Sequence, residues 1–408
     1  MKNDALKIIN AAIKAADPYE NTVRLLKSLD LPGRVKVLAV GKAAVPMARA
    51  ACDVLSSRIE KALLVTKYQH TGDFSHPAFE IIEAGHPVSD DNSILAAQRG
   101  LSLARELSEE DVLIVLLSGG GSALFEESRI SPEEQREITE KLLIRGADIR
   151  QINAVRKRLS LVKGGALAAA AYPARVVTIA LSDVLSNDKG VIASGLTVKD
   201  EETDAFVDGV LREYLYDIPE YIRNVIFAKD EIKINDGGYY FAGDISILCD
   251  AAEKEAEALG YSVHPGRRDL TDEAADTARL LTDIPEAADG RHCYVFGGET
   301  VVRVKGRGLG GRNQEAALSA AIELRGRRGI LFASAGSDGT DGPTDAAGAI
   351  VDGNTYNIMK SCGVSPEEEL ADNNSYNALA AAEALIITGA TGTNVNDLII
   401  ILTEDYEK

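Results

Sequence analysis

The chain has no tryptophan, and aromatic residues make up only 5% of its 408 positions. Its four cysteines, Cys52, Cys249, Cys293 and Cys362, are far apart and form no C-x-x-C pair. They are expected to be free thiols of a reducing compartment, not a disulfide framework. The five histidines make no H-E-x-x-H and no His/Cys cluster, which argues against structural zinc. No apolar run approaches the ~18 residues of a membrane span. The first residues, MKNDALKIINAAIKAAD, lack the apolar core of a signal peptide. A soluble, cytoplasmic protein without membrane partners is the expectation. Basic residues are also short, 44 against 63 acidic, for a net charge of −19. A field of that sign repels phosphodiester backbones and disfavours nucleic acid. An anionic substrate would need a local basic island, so each Lys or Arg set among glycines becomes a candidate.

Glycine is plentiful, at 36 residues, as in α/β enzymes with many tight strand–helix turns. The length predicts two or three domains. The segments VKVLAVG (35–41), ALLVTK (62–67), FEIIEAG (79–85), DVLIVLL (111–117) and ARVVTIALSDV (174–184) read as buried strands. Helical patterns over 3–16, 20–29, 43–57, 90–107 and 132–172 alternate with them. Asn3 is the expected cap of the first, and Ser89 or Asp90 of the fourth. This alternation predicts a three-layer domain on a parallel sheet, with ligands at the carboxyl ends of the strands. Residues 200–235 look helical and NDGGYY (235–240) breaks the pattern. The division is placed at 1–230 and 231–408. Residues 244–260 and 271–282, two segments near 354–385, and strands at YSVHPG, HCYVFGGETVVRV, GILFASAG and LIIIL make a second α/β unit.

Four glycine-bearing loops carry the candidate chemistry. Gly41-Lys42 follows a strand and opens a helix, where the dipole disfavours a cation that has no other task. It is not a Walker A loop, since G-x-x-x-x-G-K-[ST] is absent. Ser118-Gly119-Gly120-Gly121-Ser122 lets backbone approach a ligand closely. It lacks the last glycine of the hydrolase G-x-S-x-G elbow. KGRGLGGRNQE (305–315) matches the dinucleotide pattern G-x-G-x-x-G at Gly306, Gly308 and Gly311. The next acid at a strand end, Asp338, comes 32 residues after Gly306, against about 20 in that fingerprint. Arg312 and Asn313 also stand where small residues belong. An anion cradle made by Gly308, Gly310, Gly311, Asn313 and the Arg312 fork fits better, beside the alternative of a plain structural turn. Asp183, Asp188, Asp338, Asp341 and Asp345 are candidates for a general base or for Mg²⁺, or else are caps and turn residues.

GKAAVPMA, AGHPVSDDNS, LLSGGGSALFE, INAVRKRLSLVKGGALA, ALSDVLSND…IASG, GRGLGGRNQEAAL, SDGTDGPTDAAGA and TGTNVNDL occur in this order. Together, across nearly the whole chain, they resemble the class II glycerate kinases, the MOFRL family. The resemblance implies a Rossmann-like N-terminal domain and a smaller C-terminal α/β domain, with the active site in the cleft between them. It implies phosphorylation of D-glycerate, to 2-phosphoglycerate, with ATP and Mg²⁺. Some proteins of the family carry the name of NAD(P)-dependent hydroxypyruvate reductase, which is the alternative activity. Carried over, the family's catalytic positions fall on Lys42, Arg312 and Asp338, with Asp183 as a further candidate. Ser118 to Ser122, Gly308, Gly310, Gly311, Asn313 and Asn394 become binding residues, and Asp188 and Asp341 candidate metal ligands. Glycerate and ATP are the expected partners, with a homodimer left open. The sequence departs from the family at Leu196 and Ala390, where prolines are common, and in Leu185-Ser186-Asn187-Asp188. Loop rigidity and substrate preference are what those departures put in question.

Overall fold

The β-branched runs become strands because every side chain in them can be buried. The computed structural model describes residues 1–228, 232–283 and 290–405. Six strands form the first sheet: β1 Val35–Val40, β2 Ile59–Lys67, β3 Phe79–Ala84, β4 Val112–Leu117, β5 Arg175–Leu181 and β6 Asn235–Gly243. Their order is β3-β2-β1-β4-β5-β6. Each pairing from β3 to β5 is parallel, with Val40 beside Val65 and Leu117. All six residues of β1 and of β4 are buried, as a sheet covered by helices requires. Helix Ala44–Leu55 packs on β1 and β2, and helix Asp91–Arg105 on β2 and β3. Asp90 starts the latter with a reciprocal capping box to Ser93.

The expected helical stretch 132–172 divides into Pro132–Ile144, Ile149–Leu159 and Ala166–Ala171. The breaks fall at Gly146, Gly164 and Gly165, all at positive φ. NDGGYY does not end the first domain. It is the start of β6, beside β5. Asn3 does not cap the first helix, which spans Lys2–Ala15 with Met1 at its N-cap.

The second sheet comprises β7 Ser262–Pro265, β8 His292–Gly298, β9 Ile330–Gly336, β10 Gly348–Asp352, β11 Leu385–Ile386 and β12 Asp397–Thr403. Its order is β11-β10-β9-β12-β8-β7. Among the described residues, only its β7–β8 strand pair is parallel. Helix Arg312–Glu323 lies against β9, β10 and helix Ala274–Thr282. Helix Lys2–Ala15 packs on helix Ile245–Ala258, and Asp4 accepts from Tyr261 Oη at 3.0 Å.

The chain thus forms two compact units. One comprises Pro18–Leu181 and Asn187–Ala242; the other comprises Met1–Asp17, Ser182–Ser186 and Gly243–Lys408. A single cut at 230/231 falls within 229–231, outside the described residues. The observed partition also differs from that cut in kind. The first helix joins the second unit because its buried face, Ala5, Ile8, Ile9 and Ala12, finds its partner there. The last strand belongs to the second sheet, where β12 is hydrogen-bonded between β8 and β9.

Candidate active site

In the first unit, β1 delivers Lys42 and β4 delivers the SGGGS loop to neighbouring strand ends. Parallel pairing of β1 with β4 makes this unavoidable. The Lys42 amide donates to the Gly119 carbonyl at 2.9 Å. Ser118 is buried, and its Oγ accepts from the Ala43 amide at 3.0 Å. Gly41, at φ +132, is obligatory, because a Cβ there would lie 2.2 Å from Ser118 Oγ. Gly120, at φ +89, precedes the short turn of helix Gly121–Leu124. A Cβ on Gly120 would sit 3.0 Å from His86 Cδ2 and 3.5 Å from Lys42 Cε. The bare glycine therefore lets the imidazole and the lysine stem approach the loop's backbone. Burial, then the charges of Lys42 and Lys67, hold the His86 imidazole below its ordinary value. The same two lysines, after burial, depress His70. Lys42 and Lys67 thus place positive charge beside the His86 and His70 rings.

Ser122 shares a 2.8 Å hydroxyl hydrogen bond with Ser194. Asp188 is exposed and accepts from the Gly190 amide at 2.8 Å.

In the second unit, Arg312 is the first residue of its helix. Its guanidinium clasps Asp397 with two hydrogen bonds, from Nε and from Nη2, the latter at 3.0 Å. Nη1 donates to Glu299 at 3.1 Å. Burial opposes the guanidinium's charge, but the Asp397 carboxylate outweighs burial and holds Arg312 above its usual range. Burial pushes Asp397 up to about 6, against the pull of Arg312. The pair is ionised at neutral pH.

Asn396 links this pair to another candidate. Its carboxamide nitrogen donates to the Asp183 carbonyl at 2.9 Å and to Glu299 at 3.2 Å. Its carboxamide oxygen is buried and finds no hydrogen-bond partner among the described residues. Its backbone is left-handed, at φ +69, an arrangement that costs energy and clusters at functional sites. Asp338 lies in the turn two residues after β9, half-buried, and accepts from the Thr340 amide at 3.0 Å. Its neighbour Ser337 accepts at its carbonyl from Thr391 Oγ1 at 2.6 Å. Asn394 is half-buried, with its carboxamide oxygen turned to the Asn396 amide at 3.4 Å.

Two expectations need correction. The amides of Lys305, Gly306, Arg307, Gly308 and Leu309 donate to Asp372, Asn373 and Asn374. These N–H groups are already used, so the 305–309 amides, Gly308 among them, are not available to cradle an anion. A Cβ on Gly308 would fall 2.4 Å from Asn374 Cβ, and one on Gly310 2.1 Å from Ser375 Oγ. The glycines allow the loop to lie on the 372–375 segment and so deliver Arg312. Asp341 likewise is not placed as a metal ligand. It is buried, and its oxygens accept from the amides of Asn313 at 3.2 Å and Gln314 at 2.8 Å. Both contacts cap the Arg312 helix. Burial raises the Asp341 carboxyl against those hydrogen bonds. Asn313 is buried and is held by Ser334 Oγ at 2.6 Å. Among the described residues, no three His, Cys, Asp or Glu side chains gather as a metal-binding group. Asp345 is exposed and accepts from Tyr376 Oη. A separate cavity of about 470 Å³ opens beside Arg279, Arg303, Lys305 and Glu315. It contains none of the candidate residues.

Sequence reasoning missed Asp397, Asn396 and Glu299. The first two stand in the TGTNVNDL motif beside Asn394, and an acid placed directly before the apolar run LIIIL was the available signal.

Residues 4–227 match a family described as a domain of unknown function (DUF4147), and residues 292–397 match the MOFRL family. A D-glycerate 2-kinase of Thermotoga maritima is 44% identical over 98% of both chains. A glycerate 2-kinase of Pyrococcus horikoshii is 40% identical, covering 97% of this chain and 96% of that one. A protein of Agrobacterium vitis named putative hydroxypyruvate reductase is 36% identical, over 97% and 93%. The crystal structure of a Thermotoga maritima glycerate kinase superposes with a TM-score of 0.93, covering 98% of this chain and 99% of that one at 44% identity.

Proposed function

This chain belongs to the class II glycerate kinase family and phosphorylates glycerate with ATP, and from that premise we propose which residues carry out the transfer. The product is 2-phosphoglycerate, as the names of its 44% and 40% identical relatives indicate. Phosphoryl transfer needs charge neutralisation and positioning more than covalent chemistry by the protein. Lys42, with the SGGGS amides and the neutral His86 beside it, binds phosphate oxygens. Arg312 binds a second anionic group and presents the N–H groups that Asp397 and Glu299 leave. Asp183 orients the attacking hydroxyl, and Asp338 shapes the loop beside Thr391. The observation that favours Asp183 is the Asn396 carboxamide, which ties it to Glu299 and so to Arg312.

Magnesium is assigned to the substrate. Bound with the nucleotide, it would offset the charge of the phosphate oxygens. Asp188 and Asp341 are given no ligand role. The reductase reading is not favoured: a pyrophosphate would need the amides of 306–309, which the chain itself occupies.

Phosphorus NMR of the reaction with ATP and D-glycerate tests the activity and its regiochemistry. 2-Phosphoglycerate and ADP are expected; the 3-isomer, or NADH oxidation with hydroxypyruvate at a comparable rate, would overturn it. The same assay on Asp183→Asn and Asp338→Asn tests the role assigned to Asp183, which fails if only the second variant is impaired.

A further inference from the structure

A lysine and a glutamate are buried beneath the SGGGS loop. Lys163 is 1% exposed and Glu126 is 4% exposed. Lys163 Nζ donates to the Ser122 carbonyl at 3.0 Å and is paired with Glu126 Oε2. Glu126 also accepts from Arg156 Nη2 at 3.3 Å and from Ser160 Oγ at 3.2 Å. Removing such charges from water is costly, and a well-packed apolar pair of similar volume is often as stable or more so. Stability alone therefore does not account for the pair.

Its geometry suggests another task. Ser122 is held twice, from below through its carbonyl by Lys163 and from the side through its hydroxyl by Ser194. Ser194 belongs to a turn in which Ala193 and Ser194 are both left-handed, at φ +49 and φ +57. L-residues are strained there. Gly121 lies so close that a Cβ would come within 2.9 Å of Ala193 Cβ. The loop is thus clamped between a buried ammonium and a strained turn.

We propose that Lys163 is a positioning residue for phosphoryl transfer: it draws the Ser122 carbonyl inward and so fixes the peptide planes whose amides bind the substrate anion. The inference rests on the reading of SGGGS as an anion-binding loop. Its chemistry also makes the clamp sensitive to pH. Burial lowers the Lys163 ammonium to about 8; Glu126 opposes that shift and Arg156 adds to it. These are the two charged side chains that act on it, from the segment after the loop and from helix Ile149–Leu159. Loss of the Lys163 proton removes its charge from the pair with Glu126 and weakens the hold on Ser122.

The test uses the full chain and four measurements: melting temperature, kcat, KM for ATP, and the pH dependence of kcat. In the double variant Glu126→Leu/Lys163→Met the pair is replaced by apolar groups. It should melt within a few degrees of the wild type, with kcat at least ~30-fold lower and the alkaline limb near 8 gone. Glu126→Gln keeps an uncharged acceptor and should move that limb to lower pH. Gly120→Val serves as the control for the loop itself. If Gly120→Val is inactive while the double variant keeps kcat within about three-fold, the role of Lys163 is refuted. If Gly120→Val is folded and fully active, the loop assignment fails instead. Should the double variant not fold, an unmoved limb in Glu126→Gln overturns the proposal.

Discussion

Replacing Asp397 by Asn tests whether the buried carboxylate is there to aim Arg312. The variant keeps the shape and one acceptor but loses the charge and one of the two hydrogen bonds to the guanidinium. Two unit charges 4 Å apart at an effective dielectric near 20 attract by about 4 kcal/mol. A third of the Arg312 side chain remains exposed, and solvent screens such a pair, so we halve the figure to about 2 kcal/mol. That corresponds to roughly a 30-fold loss if the free energy that held Arg312 is lost from the transition state. An assay of ADP release with D-glycerate should show kcat/KM lower by about 30-fold.

Stability should behave differently. Burial lifts the folded carboxyl to about 6, above its unfolded value near 4. The folded state therefore retains this proton where the unfolded state has lost it. The group's contribution to stability is fully present below pH ~4 and is lost as pH rises towards 6. At pH 7.5 Asp397→Asn should then melt no more than a few degrees below the wild type. Activity runs the other way, because protonation undoes the clasp: wild-type kcat/KM should fall below pH 6, an acid limb that the variant lacks. A folded Asp397→Asn with kcat/KM within three-fold of wild type, or with the limb intact, refutes the reasoning. Glu299 and Asp341, the other acids acting on Arg312, remain in both proteins.

Lys42→Met should leave the melting temperature nearly unchanged and reduce kcat by at least ~100-fold, the scale of a lost transition-state charge contact; near-normal turnover would remove Lys42 from the mechanism. Gly311→Ala places a Cβ 2.3 Å from Asp341 Oδ1, which should displace the helix cap and cost about 1–2 kcal/mol, read as a lower denaturation midpoint. Deleting residues 1–17 uncovers helix Ile245–Ala258, so proteolysis should attack the second unit before the first; equal resistance of both units would contradict the partition.

The first sheet was legible because its strands are parallel and buried on both faces, which leaves continuous apolar runs. β6 was not, because NDGGYY carries two glycines and exposed polar residues, as an edge strand can. The antiparallel character of the second sheet was also hidden: β9 and β12 are as uniformly buried as parallel strands. Of the candidate residues, Lys42 and Arg312 stand out in the sequence as cations among glycines. The use of the 305–309 amides by the 372–374 segment was not legible, because a G-x-G-x-x-G pattern is the same whether backbone approaches a ligand or another segment. Asp397 was hidden for a related reason: an acid at the start of a strand shows its value only when the long-range pairing brings Arg312 to it.

Strand order has a consequence for how the protein is made. Helix Lys2–Ala15 is synthesised 230 residues before the start of its partner helix at Ile245. At ~5–20 residues per second, that delay is on the order of ten to fifty seconds. All of Pro18–Leu181 and Asn187–Ala242 leaves the ribosome in the meantime, while Ile8 and Ile9 have no surface to cover them. β12, which joins β8 to β9, arrives later still. The second unit must therefore close around its earliest and latest segments at once, and a trigger-factor-like holdase bound to residues 5–12 would shorten the list of wrong partners in that interval.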